Sequence, residues 1–211
     1  MRGPMNKQER RAYAIFLLVI LGLFAGEVCT NYAPVKLSVL LFVLFWIPLL
    51  ALHESGHALM AALLGWQVEQ VVIGLGRPVA SFRVGSASVE LKLLPLEGFA
   101  RSVPRDLRLP GLKHALIYLA GPGIELLLAG AILWLVGPPQ LLSHSEQYGI
   151  IVWQSLALAA TVGGVLNLIP HAVQTSAGIM IPNDGLGIIL SLSRPASAYA
   201  GLMNSPAADK N

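Results

Sequence analysis

Charge is what this sequence has least of. Asp, Glu, Lys and Arg make up 12% of its 211 residues, about half the share of an ordinary soluble domain. That scarcity excludes a freely soluble globule, and a hydrophobic fraction of 55% places the chain in the integral membrane class. Cysteine is nearly absent. Cys29 alone excludes an intrachain disulfide framework and a cysteine-built zinc site. Internal repeats and low-complexity tracts are also missing, which leaves room for one domain of several spans. The net charge of +3 is placed along the chain as an orientation signal, not as a sign of an acidic partner. The lipid bilayer is therefore the expected partner, and nucleic acid is not.

Four apolar runs reach the roughly 20 residues that cross a hydrocarbon core. They cover Ala12 to Cys29, Val35 to Leu64, His114 to Val136 and Tyr148 to Ile169. The first follows the basic segment "MRGPMNKQERR" and reads as an uncleaved span, because no small-x-small cleavage site follows it. Pro170 must break the last run, and "LGIILSLS" can finish the broken helix. Four Lys/Arg precede the first run, one lies between the first and second, seven between the second and third, and two in the tail. A cytoplasmic N-terminus puts thirteen of the fourteen inside, the arrangement the positive-inside rule strongly favours. Between the second and third runs, "ASFRVGSASVELKLLPL" alternates apolar and polar residues around "VGSA", a hairpin signal. "GLGRP" and "LPLEG" read as turns. The expected fold is an all-α polytopic membrane protein of about four helices, the last broken near Pro170, with a small cytoplasmic β-hairpin. Residues 1–34 form an N-terminal segment and first span, 35–195 the core, and 196–211 a cytoplasmic tail. Trp66 and Tyr148, near span ends, read as interfacial anchors.

Inside the second run stands "ALHESGHALM". Histidines at i and i+4 share one helix face, so His53 and His57 can offer two imidazole nitrogens to one metal ion. Glu54 falls beside them, placed to move protons without being a ligand. Ionisable groups within a bilayer are expensive and usually functional, which counts against a purely packing role for the pair. A catalytic zinc also needs a third protein ligand and an open position. Glu27, His114, Glu125, His171 and Asp184 are the candidates near the membrane. The last two flank the break at Pro170, where irregular backbone is tolerated only against protein or a wet cavity. Pro48, five residues before His53, is placed to kink its helix and open a pocket.

These residues, with "IGLGRP", "LKLLPLEGFAR", "LAGPGIE" and "NLIP" followed by "NDG", resemble the site-2 proteases, a family of intramembrane zinc metalloproteases. The resemblance runs from about Leu49 to Leu190. It implies Zn2+ held by His53, His57 and Asp184, with Glu54 as catalytic base and Asn167 as a polar residue at the active site. It also implies that the β segment presents a substrate by strand addition, with Val89 and Leu91 in "SVELKL" as the expected contacts. Charge favours Asp184 over His171 as third ligand, because a carboxylate offsets part of the ion's charge where a third imidazole does not. Two features depart from the family pattern. Glu125 stands where familiar members have Asn, and "HAVQTSAGIMIP" lengthens the stretch before Asp184. Glu125 is expected near the cytoplasmic mouth of the third span, bonded to the "GPG" backbone. The chain leaves no room for the PDZ or CBS domain that some members carry.

The function expected is endopeptidase cleavage within or near a transmembrane segment of a membrane-protein substrate, in a multi-pass protein of the bacterial cell membrane. Two rivals use the same residues: a membrane metal-binding or transport protein, and a catalytically silent scaffold. A transporter should show a polar path through several spans, whereas here the acidic residues and histidines gather toward one end.

Overall fold

The computed structural model describes Val19 and residues 22–174 and 179–203. Much of the expected first span lies outside the described residues, as do the chain's first residues and 204–211 of the tail. The described chain runs α1 (22–30), a short 3-10 turn (Pro34–Lys36), α2 (Leu37–Leu63), β1 (Gln67–Val84), β2 (Ala87–Val103) and α3 (Pro110–Val136). It continues through α4 (Pro138–Leu142), α5 (Tyr148–Leu168), β3 (Ala172–Gln174), β4 (Met180–Pro182), α6 (Asp184–Ser193) and α7 (Ala196–Met203). Among the described residues, three helical stretches are long and apolar enough to cross a membrane: Pro34–Leu63, Pro110–Val136 and Tyr148–Leu168. They are the second, third and fourth runs of the sequence.

Helix ends fall where backbone chemistry sets them. Pro110 and Pro138 open α3 and α4, where a missing N–H costs nothing. At the other end, α5 stops at Leu168, two residues before Pro170. The break expected there is real, and among the described residues the next helix begins at Asp184. Pro48 does not divide α2, which continues through it as one helix.

These long apolar helices meet through small side chains. Ala159 and Ala160 on α5 are fully buried against Leu49 of α2, with Phe45, Leu52, Leu128 and Leu156 around them. Small residues at a helix seam let backbones approach closely, which replaces the hydrophobic driving force that lipid removes. A second cluster joins Ala61, Trp66, Ile117 and Tyr199, and so docks α7 onto the ends of α2 and α3. Trp66 is 3% exposed, with its ring stacked on His114 at 5.1 Å. It is a core residue and not the interfacial anchor expected, because the tail helix folds back over it. Within 196–203 it is Tyr199 that is buried, and most of the other residues are exposed.

The hairpin turn sits at Gly85–Ser86, inside the "VGSA" signal. Its strands are longer than the alternation indicated, and they pair antiparallel with repeated register shifts. Positions 70–73 stand opposite both 88–91 and 98–101. Val89 consequently has Val71 on one side and Phe82 on the other, and Leu91 lies between Ile73 and Ala80. "GLGRP" and "LPLEG" do not interrupt the strands. Gly74 and Gly76 take positive φ values of 98° and 85°, and there the register jumps. Residues 98–103 have register partners on one side only, among the described residues. This stretch is an edge.

Candidate metal centre

The i, i+4 spacing puts His53 and His57 on the same face of α2, 6% and 7% exposed. Asp184 reaches them from the first turn of α6, although 127 residues separate it from His57 in the chain. Asn183 holds that approach. It caps α6 by accepting from the Leu186 N–H at 3.1 Å, and its Nδ2 donates to the carbonyls of Asn167 (2.9 Å) and Ile169 (2.7 Å). One side chain thus ties the end of α5 to the start of α6 across the Pro170 break. An Asn before Asp-Gly and an apolar run is a helix-start signal, which could have marked Asn183 from the sequence.

Around the cluster, His53 Nε2 lies 2.9 Å from Asp184 Oδ2, and His57 Nε2 lies 3.3 Å from Asp184 Oδ1. The two Nε2 atoms are 3.1 Å apart. Ligands at about 2.0–2.1 Å from a tetrahedral zinc stand roughly 3.3 Å from one another, close to these separations. The opposite ring nitrogens identify the tautomers. His57 Nδ1 meets the Ile117 carbonyl at 2.6 Å, and His53 Nδ1 meets Glu125 Oε2 at 3.2 Å. Both partners are acceptors, so both Nδ1 atoms carry the proton and donate. Two Nε2 atoms and a carboxylate then point at one another, an arrangement that repels itself unless a metal ion or a proton lies between them.

Gly121 of α3 supplies the room. A Cβ there would sit 2.7 Å from His53 Nε2 and against His57 Nε2, inside the cradle itself. Glu54, 4% exposed, stands beside the cluster, and its buried Oε2 has no hydrogen-bond partner. The β2 edge passes directly over it: a Cβ on Gly98 would come within 2.7 Å of Glu54 Oε1. These observations fit a metal ion held by His53, His57 and Asp184 with a carboxylate base beside it. The same three residues form the one group of potential ligands found among the described residues.

All of this opens into a cavity of about 490 Å³. Residues 96–100 of β2 line it, as do Val173, Ile181 and Pro182 of the β3–β4 pair, Tyr118, and Asn167. Asn167 therefore reaches the cavity wall, with its Nδ2 donating to the Gly163 carbonyl at 3.1 Å. Val89 and Leu91 do not line it; their stretch is enclosed on both sides by other strands, for the register reason given above. His171 is exposed, and its Nδ1 faces the Ile169 carbonyl and Asn183. His114 packs in the aromatic cluster with Trp66, Tyr118 and Tyr199. Glu27 pairs with Lys36. None of these three joins the cluster. Glu125 corrects its expectation, being 4% exposed and facing His53 instead of the "GPG" backbone.

Residues 40–174 match the family model for peptidase family M50. The chain is 35% identical to the zinc metalloprotease RasP of Geobacillus kaustophilus over 69 residues, 33% of this chain and 16% of that one. It is 32% identical to the regulator of sigma-W protease RasP of Bacillus subtilis, again over 69 residues and the same shares. A Campylobacter jejuni protein, provisionally named a zinc metalloprotease, is 31% identical over 123 residues, 52% of this chain and 33% of its own. The chain thus spans a third or less of the length of each of these relatives.

Proposed function

From the premise that this chain belongs to peptidase family M50, the site-2 protease family, we propose that it is a zinc endopeptidase of the bacterial cell membrane. Its substrate would be a peptide bond within or beside a transmembrane segment of another membrane protein. One observation carries the reading. Two histidines and a carboxylate converge around a glycine-lined cradle, and an unpartnered buried carboxylate stands beside them.

His53, His57 and Asp184 would hold the ion, leaving a fourth position for water or substrate. Zinc, when bound, polarises the scissile carbonyl and lowers the pKa of a water toward about 7. Glu54 does the proton work. Its partnerless Oε2 takes a proton from the attacking water and returns it to the departing amine. Burial keeps that carboxylate from exchanging with bulk solvent, and Gly98 keeps the strand close above it. Asn167 would offer its amide to the substrate backbone from the cavity wall.

A helical substrate hides its scissile carbonyl in its own hydrogen bonds, so it must be held extended. Strand addition supplies that. The support favours the open edge at 98–100, which borders the cavity, over Val89 and Leu91, whose flanks are taken.

The test uses the purified full chain in lipid nanodiscs with a membrane-spanning reporter. Glu54→Gln should keep zinc and lose cleavage by at least about 100-fold, the range of a positioned acid–base group. His53→Ala should lose both. A Glu54→Gln protein that cleaves at the wild-type rate sinks the mechanism, and wild-type zinc uptake without cleavage of any reporter favours the metal-binding rival.

A further inference from the structure

Glu125 is a buried carboxylate to which the hydrolysis above gives no step. It lies on α3 one turn beyond Gly121, with its Oε2 3.2 Å from His53 Nδ1. Gly163 of α5 makes room on the other side, where a Cβ would stand 3.1 Å from Oε1 and 3.2 Å from Oε2. The carboxylate therefore stands between a ligand imidazole and the α5 backbone, at the wall of the cavity. Such a group is expensive to bury between membrane helices. The neighbouring histidine shows that it is not needed merely to anchor a ring: His57 Nδ1 is held by a backbone carbonyl, that of Ile117. What a carboxylate adds over a carbonyl is charge.

Resting on the metallopeptidase reading, we propose that Glu125 is a positioning residue for the metal centre. Its carboxylate accepts the His53 Nδ1–H, fixes Nε2 toward Asp184 and His57, and raises the donor strength of that imidazole. Partners of this kind behind a ligand histidine typically change metal affinity by about 10–100-fold. The two histidines are then unequal ligands, one backed by a neutral dipole and one by a charge. Gly163 belongs to the same device, since a methyl there presses on both carboxylate oxygens.

The test measures zinc affinity of the full chain by competition with a chromophoric chelator, the visible spectrum of the cobalt-substituted protein, and thermal melting of the chelator-stripped form. Glu125→Gln keeps an acceptor oxygen and loses the charge. It should weaken zinc by about 10-fold, and Glu125→Met by about 100-fold, each with a shifted cobalt spectrum and a stripped form that melts like wild type. Wild-type affinity and spectrum in Glu125→Gln overturn the proposal, whether or not Glu125→Met folds. A zinc loss matched by an equal loss of stripped-form stability also overturns it, in favour of packing alone. A wild-type chain that takes up no metal refutes the metallopeptidase reading itself, a different result from a loaded wild type that its Glu125 variants match.

Discussion

Gly121 shows how little of a metal centre is in its ligands. Its missing side chain is the space in which the two Nε2 atoms face Asp184. Gly121→Ala should fold, yet its zinc content, measured by elemental analysis after gel filtration, should fall to background. Gly123→Ala is the control. Nothing lies within 4 Å of a Cβ at that position, so zinc should stay at the wild-type level. The third ligand is tested in the same way. Asp184→Asn should release zinc, because an amide is a poor substitute for a carboxylate that offsets the ion's charge. His171→Ala should retain it, since His171 is exposed and faces Ile169 and Asn183 instead. If His171→Ala loses zinc while Asp184→Asn keeps it and cleaves, the ligand assignment is wrong.

Among the elements, the two halves of β2 have different fates. Around Val89 the strand is flanked on both sides, by Val71 and Phe82. Proline there removes a ladder donor inside a sheet, so Val89→Pro should abolish folding of the hairpin while Val89→Ala is tolerated. At Phe99 and Ala100 register partners lie on one side only. Adjacent N–H groups in a strand point opposite ways, so one of these two faces the cavity. For that one, proline should slow reporter cleavage far more than Phe99→Ala or Ala100→Ser, with the melting temperature unchanged. Equal effects of proline and the small side chain at both positions rule out strand addition along this edge. The α5–α6 break depends on a single cap. Asn183→Ala should destabilise the chain by about 1–2 kcal/mol from the cap alone, read by thermal unfolding. It should weaken zinc as well, because Asp184 is the next residue.

For the whole molecule, the distribution of Lys and Arg predicts sidedness, with the hairpin inside and the α4 end outside. With Cys29 replaced by Ser, single cysteines at Ser86 in the hairpin turn and Ser143 beyond α4 report the two faces; both positions are exposed. An impermeant reagent added outside intact cells should label Ser143→Cys and spare Ser86→Cys. The reverse pattern would place the hairpin, and the cavity it borders, on the outer side.

Much of this architecture was legible in the sequence because it depends on local periodicity and composition. Apolar length set the three long apolar helices, Pro170 set the break, "VGSA" set the hairpin turn, and the spacing of His53 and His57 put both rings on one face. Asp184 could be read as a ligand only through resemblance and charge, since its approach depends on Asn183 bridging two helix ends. The tertiary structure alone decided the rest. Which strand remains an edge depends on register shifts at Gly74 and Gly76, and alternation is blind to register. Trp66 is buried by a helix more than a hundred residues later in the chain. Glu125 meets His53 only because α3 crosses α2 closely at Gly121, a contact between residues 72 positions apart that no local pattern encodes.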